Sequence, residues 1–455
     1  MLEILNSVVA FLVAIAILVA VHEWGHYIVA RLSGVKVLRF SIGFGRPLWL
    51  RRWGPDQTEY CLSAIPVGGY VKLLDEREME VPETERQRAF NRQPIPKRIA
   101  ILLAGPAMNL LFAVVAYWAM FVVGVPGMKP VLGEVEPGSL AEQAGLQAGD
   151  LILRVGDQPV STWESAVLRM LDELLNGGGI RLQVRQPDGR LREAHLATSG
   201  RLSDLTEPGQ LFEGLGLHPW TPVVEPVIDR IVEGGSAERS GLLPGDRILA
   251  ADGQTFDDWG SWVEFVRARP GQTVPVTVLR DGSNVQIDLE IDTVETESGP
   301  IGRIGASVRV PEDLLQGMRA NQHYGIGRAA AEAVHKTWSM AVLTVRMVVN
   351  MVAGKVSPKN ISGPINIAQY AGYSASGGVS AFLGFLAIVS ISLGILNLLP
   401  IPMLDGGQIV YQLVEAIKGG PLSERAQMVG QQLGILFLLL LMSLAVYNDI
   451  SRLLD

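Results

Sequence analysis

Long apolar runs stand near the two ends of the chain, and the sequence between them has the mixed polar and apolar character of a soluble protein. Each run approaches the roughly 20 residues that a helix needs to cross the hydrocarbon of a bilayer. We therefore predict four membrane-spanning helices, with a soluble insert between the second and the third. Their approximate ranges are 5–30, 99–123, 379–399 and 433–446, of which the last is the shortest.

The first apolar run would also suit the hydrophobic part of a signal peptide. Its leading residues, MLE, lack a positive charge, and no A-x-A cleavage site precedes a polar segment. The run instead continues directly into the sequence HEWGH at residues 22–26. We therefore expect a membrane helix that remains in the protein.

Strand-like sequence lies between the first two apolar runs. Residues 58–73 alternate apolar with polar side chains, and residues 37–45 are rich in residues that favour strands. We predict a β-hairpin or small sheet here, associated with the membrane. Four glycines in these segments permit tight turns or a close approach of the backbone: Gly43, Gly45, Gly68 and Gly69.

A helical period with a moderate apolar face marks residues 329–354, ahead of the third apolar run. Lys336 and Arg346 fall within this segment, and burying both charges in a bilayer would be costly. An interfacial amphipathic helix is therefore the better interpretation. We predict that residues 362–368, SGPINIA, form a loop, because Gly-Pro commonly interrupts regular structure.

The soluble insert contains an internal repeat. The sequences around residues 139 and 236 share the core G-S…G-L-x-x-G-D-x-I-L, so that Ser139 matches Ser236 and Asp150 matches Asp246. Each copy predicts a short helix, a Gly-Asp turn and a strand. The copies resemble bacterial PDZ domains, which implies two α+β units that bind extended peptides, including their C-termini, at a sheet edge. The alternative is a tandem pair that binds nothing and only blocks access.

Charge and cysteine content narrow the class of protein. The net charge is −8 and the pI is about 5.4, so nucleic acid is not an expected partner. Cys61 is the single cysteine, which excludes a disulfide framework and a multi-cysteine zinc site.

Lysine and arginine set the expected orientation. They are concentrated between the first two apolar runs, over residues 31–98, and the tail ahead of the first run has none. The positive-inside rule therefore places this segment in the cytoplasm. The N-terminus, the soluble insert and the C-terminus are then expected on the opposite side of the membrane.

The sequence HEWGH carries the candidate chemistry. On a helix, His22 and His26 lie one turn apart on one face, where two imidazoles can bind one zinc ion. Glu23 stands beside the first histidine, where its carboxylate can take a proton from the attacking water. Helix capping near the membrane surface is the alternative, but ionisable groups inside a spanning helix are costly and usually functional.

A catalytic zinc site usually has three protein ligands and one open position. The metzincin pattern is absent, because Val29 and Leu32 stand where it requires glycine and histidine. The best third ligand is Asp405, in the segment NLLPIPMLDGG at residues 397–407. Its prolines and glycines predict broken helix, which at membrane depth is tolerated only in packed protein or along a wet cavity.

The motifs HEWGH in an early apolar helix and N-x-x-P-x-P-x-L-D-G-G in a late one together resemble the site-2 protease family of intramembrane metalloproteases. The resemblance covers essentially the whole chain. It implies that His22, His26 and Asp405 bind Zn²⁺ and that Glu23 is the general base. It also implies a polytopic α-helical protein of the bacterial inner membrane, with its active site toward the cytoplasm and its PDZ-like domains and termini in the periplasm.

The resemblance further implies the class of substrate. The family cuts single-span membrane proteins within or near their membrane segment, such as a trimmed anti-sigma factor in the envelope stress response, or remnant signal peptides. A helix must unwind before it is cut, and the predicted β element could hold the extended chain. We assign substrate contact to Asn397, Tyr70 and the four glycines named above. A surface hairpin without substrate contact is the alternative, and Asn109 is interpreted as structural.

These predictions divide the chain into five parts: 1–124 with the HExxH helix, 125–220 and 221–310 as PDZ-like domains, 311–378 with the interfacial helix and loop, and 379–455 with Asp405. A rival function is a PDZ scaffold or membrane chaperone with structural zinc, but such a site has no use for Glu23 and tends to have four ligands. A metal transporter is a third possibility, although transporters repeat their membrane halves rather than a soluble insert.

Overall fold

The structure is a computed structural model and describes residues 2–177, 179–296, 299–309 and 317–454. The predicted boundary at residues 310 and 311 lies outside these ranges. Four helices in the described chain are long and apolar enough to cross a membrane, as predicted. We call them the first to fourth apolar helices: Leu2–Leu32, Ile95–Val123, Val379–Asn397 and Glu424–Leu454. The fourth is much longer than the apolar run alone, because polar residues extend it at both ends.

The second apolar helix forms the centre of the helical part. It packs against the first and third apolar helices and against the helix Ile326–Val352. Small residues such as Ala113 and Ala116 are buried there beside Tyr117 and Ile391. Small side chains let helix backbones approach closely, which is how helices gain packing energy without a hydrophobic driving force in a bilayer.

The segment between the first two apolar helices folds into two long strands, Val37–Trp53 and Thr58–Leu73. The first is longer than the predicted range. Residues 39–42 are paired with residues 69–72 on one side and with residues 59–62 on the other. Both strands therefore bend, and the two ends of each strand lie at different positions across the sheet. This register places residues 69–73 at an edge of the sheet.

The predicted repeat corresponds to two units with the same strand order. The first unit has a four-stranded sheet of Gln158–Pro159, Leu151–Val155, Ile180–Arg185 and Leu191–Leu196. The second has Gln254–Thr255, Arg247–Ala251, Thr273–Arg280 and Ser283–Glu290. Each sheet packs its own helix, Trp163–Leu175 or Trp259–Arg267, into a separate hydrophobic core. These units form two α+β domains, which we call the first and second repeat domains.

Shorter elements complete the two repeat domains and connect them to the membrane part. The paired short strands are Val125–Met128 with Arg319–Gln322, Leu132–Val135 with Leu217–Pro219, Ile228–Ile231 with Ala306–Val308, and Asp292–Thr296 with Gly299–Arg303. The short α-helices are Leu140–Gln143, Leu202–Leu205, Gln210–Leu215 and Ser236–Arg239. Short 3-10 turns are at Glu83–Arg88, Phe90–Arg92 and Pro358–Asn360.

The predicted amphipathic segment forms the helix Ile326–Val352. Its two noted charges are paired with the first repeat domain: Lys336 Nζ lies 3.4 Å from Glu164, and Arg346 Nη1 lies 2.6 Å from Asp172. Trp338 on the same helix is 71% exposed. The two charges are therefore paired within the protein, whereas a large apolar side chain of the same helix is exposed.

The predicted loop at residues 362–368 is wrong beyond its first two residues, because a helix runs over Pro364–Ser376. Proline suits the first position of a helix, where no N–H partner is needed. The free N–H groups at this helix start donate to the carboxylate of Asp449, from Gly363 at 2.8 Å and Ile365 at 3.0 Å. An acidic residue on the fourth apolar helix, distant in sequence, thus caps this helix, which the local sequence does not predict.

Candidate metal centre

The first apolar helix places His22 and His26 on one buried face, with their Nε2 atoms 3.2 Å apart. Two glycines create the space for them. A methyl group at Gly25 would stand 2.3 Å from the carbonyl oxygen of Ala104, and one at Gly105 would stand 2.3 Å from His26 Nε2. The first and second apolar helices therefore cross closely at the HEWGH motif because neither has a side chain at the crossing.

Asp405 reaches the same place from the other end of the chain. The third apolar helix ends at Asn397, and a new helix, Asp405–Lys418, begins after seven residues of broken backbone. We call it the aspartate helix. Methyl groups at Gly406 and Gly407 would stand 2.2 and 2.1 Å from carbonyl oxygens of that broken segment. The two glycines thus let the first turn of this helix pack tightly against the preceding loop.

The three predicted ligands form a compact triangle. Asp405 Oδ2 lies 3.2 Å from His22 Nε2 and 3.4 Å from His26 Nε2. Ligand atoms of a tetrahedral zinc site, at the usual zinc–nitrogen distances, stand about 3.3 Å apart. Asp405 Oδ2 is buried and has no hydrogen-bond partner within the described residues. The donor set, its spacing and this unpaired oxygen fit a zinc ion.

The remaining ring nitrogens determine which atoms are free to bind metal. His26 Nδ1 lies 2.8 Å from the carbonyl oxygen of Ile101. A carbonyl only accepts hydrogen bonds, so Nδ1 donates and the Nε2 lone pair is left for a metal. The backbone of the second apolar helix thus selects the tautomer of His26 that a ligand requires.

Asn109 makes the corresponding contact to the other histidine, with its carboxamide 3.2 Å from His22 Nδ1. The side chain is fully buried, and its Oδ1 has no partner within the described part of the chain. Rotating the carboxamide by half a turn would bring this oxygen to the Nδ1 proton and leave Nε2 of His22 free. Sequence reasoning missed this contact, although a polar amide within an apolar helix was a usable signal.

A cavity of about 1000 Å³ opens beside the triangle. Glu23 lines it together with Gly68, Gly69 and Tyr70 from the edge of the two-strand sheet. A methyl group at Gly69 would stand 3.2 Å from Glu23 Cγ, so glycine lets the strand edge pass close to the carboxylate. The candidate base, the candidate ligands and a free sheet edge therefore share one cavity.

The other predicted substrate contacts divide into two groups. Asn397 lines the cavity, and its Nδ2 lies 3.4 Å from His22 Nε2. Gly43 and Gly45 do not line it; both pack against Ile65 within the sheet and have positive φ angles of 89° and 87°. Their position indicates a role in bending the first long strand.

An ion pair holds the aspartate helix against the second apolar helix. Arg98 donates two hydrogen bonds to the Glu415 carboxylate, at 2.6 and 3.0 Å. The Arg98 side chain is only 6% exposed. This guanidinium holds the pKa of Glu415 below its usual range. The pair is therefore kept at neutral pH and is lost only as the pH falls through the lowered pKa.

We predict that Glu415→Ala weakens zinc binding about tenfold or more. Breaking a buried pair leaves an uncompensated charge and costs on the order of 3–5 kcal/mol, and the helix that carries Asp405 loses its fixed position. Zinc affinity can be measured by competition with a chelating dye. Lys418→Ala, at the exposed end of the same helix, is the control. Equal zinc affinity in the Glu415→Ala chain and the unmodified chain would contradict the prediction.

The chain matches a known protein family over most of its length. The sequence model described as peptidase family M50 matches residues 10–441. The chain is 40% identical to the regulator of sigma-E protease RseP of Salmonella typhimurium, with 100% of both chains covered. It is also 40% identical to a Neisseria meningitidis protein whose name places it among zinc metalloproteases, with 99% of this chain and 100% of that chain covered.

Among solved structures, the chain is similar to the PDZ domain of an SdrC-like protein from Listeria innocua. The identity is 21%, the TM-score is 0.17, and the match covers 19% of this chain and 97% of that domain. The likeness is too weak to support an argument about the fold, so the PDZ-like prediction continues to rest on the sequence repeat and the two matching sheets.

Proposed function

The chain belongs to peptidase family M50, and on that premise we propose that it is a zinc endopeptidase that cuts single-span membrane proteins within or near their membrane segment. In this proposal His22, His26 and Asp405 hold the zinc ion. Glu23 is the general base. The single observation that carries the proposal is the triangle of ligand atoms, 3.2–3.4 Å on each side, which opens onto a cavity shared with Glu23.

The residues around the cavity have distinct tasks. When bound, zinc supplies Lewis acidity for the scissile carbonyl and the attacking water. Glu23 takes the proton of that water and returns it to the leaving amine. The edge at Gly68, Gly69 and Tyr70 offers backbone groups to an extended substrate, which would add to the sheet as another strand. Because helical peptide bonds are shielded, this strand pairing favours an unwound substrate at the zinc.

The regulated process is proposed from the names of relatives. The Salmonella typhimurium relative is a regulator of sigma-E protease, and we propose that this chain also acts in envelope stress signalling, on an anti-sigma factor already trimmed outside the cytoplasm. Remnant signal peptides are a second proposed substrate class. The chain would lie in the bacterial inner membrane, with the long strands toward the cytoplasm and the repeat domains in the periplasm. The repeat domains would act as PDZ-type peptide readers or as an access filter.

We predict that the purified full chain cuts a single-span test substrate in detergent and that the cut maps within or beside its apolar segment. Removing the metal with a chelator should abolish cleavage, and added zinc should restore it. Mass spectrometry of the products locates the scissile bond. A soluble peptide from the periplasmic flank of the same substrate is the control and should remain uncut.

The same cleavage experiment also distinguishes the proposed protease from the alternative function, a PDZ scaffold with structural zinc. Cleavage that persists after complete zinc removal would exclude a metalloprotease. A zinc-loaded chain that cuts nothing would favour the scaffold, unless deletion of residues 128–310 releases activity. That deletion therefore distinguishes an inactive protein from one whose repeat domains restrict access.

A further inference from the structure

The cavity beside the metal centre has a second polar wall that the function described above does not use. One wall is the backbone edge at residues 68–73. Another wall carries the side-chain amides of Gln408, Gln427 and Gln431. The first belongs to the aspartate helix, and the other two belong to the fourth apolar helix. Uncharged amides thus face the same space as the ligands and the general base.

The packing of the fourth apolar helix explains why its amides face the cavity. A methyl group at Gly430 would stand 2.1 Å from the hydroxyl of Tyr411, and one at Gly434 would stand 3.3 Å from Met403. These glycines let the helix lie directly on the segment that leads to Asp405. Residues on the adjoining face, one turn apart at Gln427 and Gln431, are thereby turned toward the cavity.

The hydrogen bonds of these amides are only partly used. Gln427 Nε2 donates to the carbonyl of Leu422 at 3.1 Å, and Gln408 Nε2 donates to the carbonyl of Pro402 at 3.1 Å. Within the described ranges, the side chain of Gln431 has no partner and neither of the other two amide oxygens accepts a hydrogen bond. Gln431 is exposed and Gln427 is half-buried, so their unused amide groups are accessible to a ligand in the cavity.

An extended peptide has backbone hydrogen-bonding groups along both of its edges. The sheet edge can satisfy only one of them. Residues four apart on a helix are separated by about 6 Å along its axis, and groups on the same edge of a strand recur about every 6.8 Å. A glutamine amide has both a donor and an acceptor, so each can serve one peptide unit.

We propose that Gln427 and Gln431 bind the second edge of the extended substrate backbone and hold it between the fourth apolar helix and the strand edge. The proposal rests on the proposed endopeptidase function and deepens it. Because the amides contact backbone rather than side chains, they favour any unwound segment over a particular sequence. The substrate is thus selected by whether it can become extended at the metal centre.

The test compares substrate binding in a Glu23→Gln background, where the bound chain is not consumed. We expect the double substitution Gln427→Leu and Gln431→Leu to raise the Kd for a single-span test substrate about tenfold, the effect of losing two hydrogen bonds. Gln432→Leu is the matched control, because Gln432 is the next residue on the same helix and does not line the cavity. Zinc content should be the same in all chains.

The single substitution Gln431→Met is a milder variant for the case in which the double substitution fails to fold. We expect it to raise the Kd about threefold. Thermal unfolding of each variant shows whether it is folded. A Kd unchanged by loss of the two amides, or raised equally by Gln432→Leu, would overturn the proposal. Failure of both the unmodified chain and the chain lacking residues 128–310 to cut any single-span substrate would instead reject the endopeptidase function on which it rests.

Discussion

Replacing Glu23 with glutamine should reduce the cleavage rate about 10²–10⁴-fold and leave the zinc content unchanged. The isosteric amide keeps the shape of the side chain but cannot take a proton from water, so the loss expected is that of a general base. Because Glu23 is not in the ligand triangle, the ion should stay bound. The measurements are the single-turnover cleavage rate of a single-span substrate and the zinc content per chain.

A matched control for this experiment is Glu80→Gln. Glu80 is exposed in the segment between the long strands and the second apolar helix, and it does not line the cavity. Its substitution should change neither the cleavage rate nor the metal content. If the Glu23→Gln chain cut its substrate at the unmodified rate, Glu23 could not be the general base, and another proton acceptor in the cavity would have to be sought.

Replacing Asp405 with alanine should weaken zinc binding by at least about a hundredfold and abolish cleavage with it. Structural zinc sites gain roughly 10–16 kcal/mol from four ligands, so one ligand contributes on the order of 3 kcal/mol, and each 1.4 kcal/mol is a factor of ten. The substitution also removes the buried Oδ2 atom, which has no hydrogen-bond partner among the described residues. Zinc affinity and cleavage should both be measured.

The exposed Asp188, in the turn between two strands of the first repeat domain, provides the control substitution to alanine. Retained zinc affinity in the Asp405→Ala chain would remove Asp405 from the ligand set. The two experiments have opposite signatures, because loss of the base should spare the metal and loss of the ligand should not. The zinc-binding assay of the two variants therefore distinguishes the role of a general base from that of a metal ligand.

The family and the principal chemistry could be predicted from the sequence. The match to peptidase family M50 over residues 10–441 confirms the resemblance inferred from HEWGH and from the motif around Asp405. The four apolar runs correspond to four helices that could cross a membrane. These predictions succeeded because each depends on a local pattern: the length of an apolar run, or the spacing of two histidines along one helix. The roles of the individual site residues remain predictions.

Other features could not be predicted because they depend on which distant segments meet. The local sequence reads as a loop where Pro364 begins a helix, since the cap is supplied by Asp449 from the fourth apolar helix. The sequence indicates a structural role for Asn109 but does not show that its carboxamide contacts His22 from another helix. The sequence predicts that the charges of the amphipathic helix avoid lipid, but it does not reveal their partners on the first repeat domain.

By itself, the sequence determined the helices that are long and apolar enough to cross a membrane, the repeat in the insert and the residues that could bind zinc, because helical period and hydrophobic length are properties of a single segment. The tertiary structure decided that Gly25 and Gly105 bring two helices together, that His26 donates to Ile101, and that Gln431 faces the cavity. These contacts join residues that are far apart in the chain. Only packing, which fixes the distance and rotation between segments, determines which of their polar groups become partners.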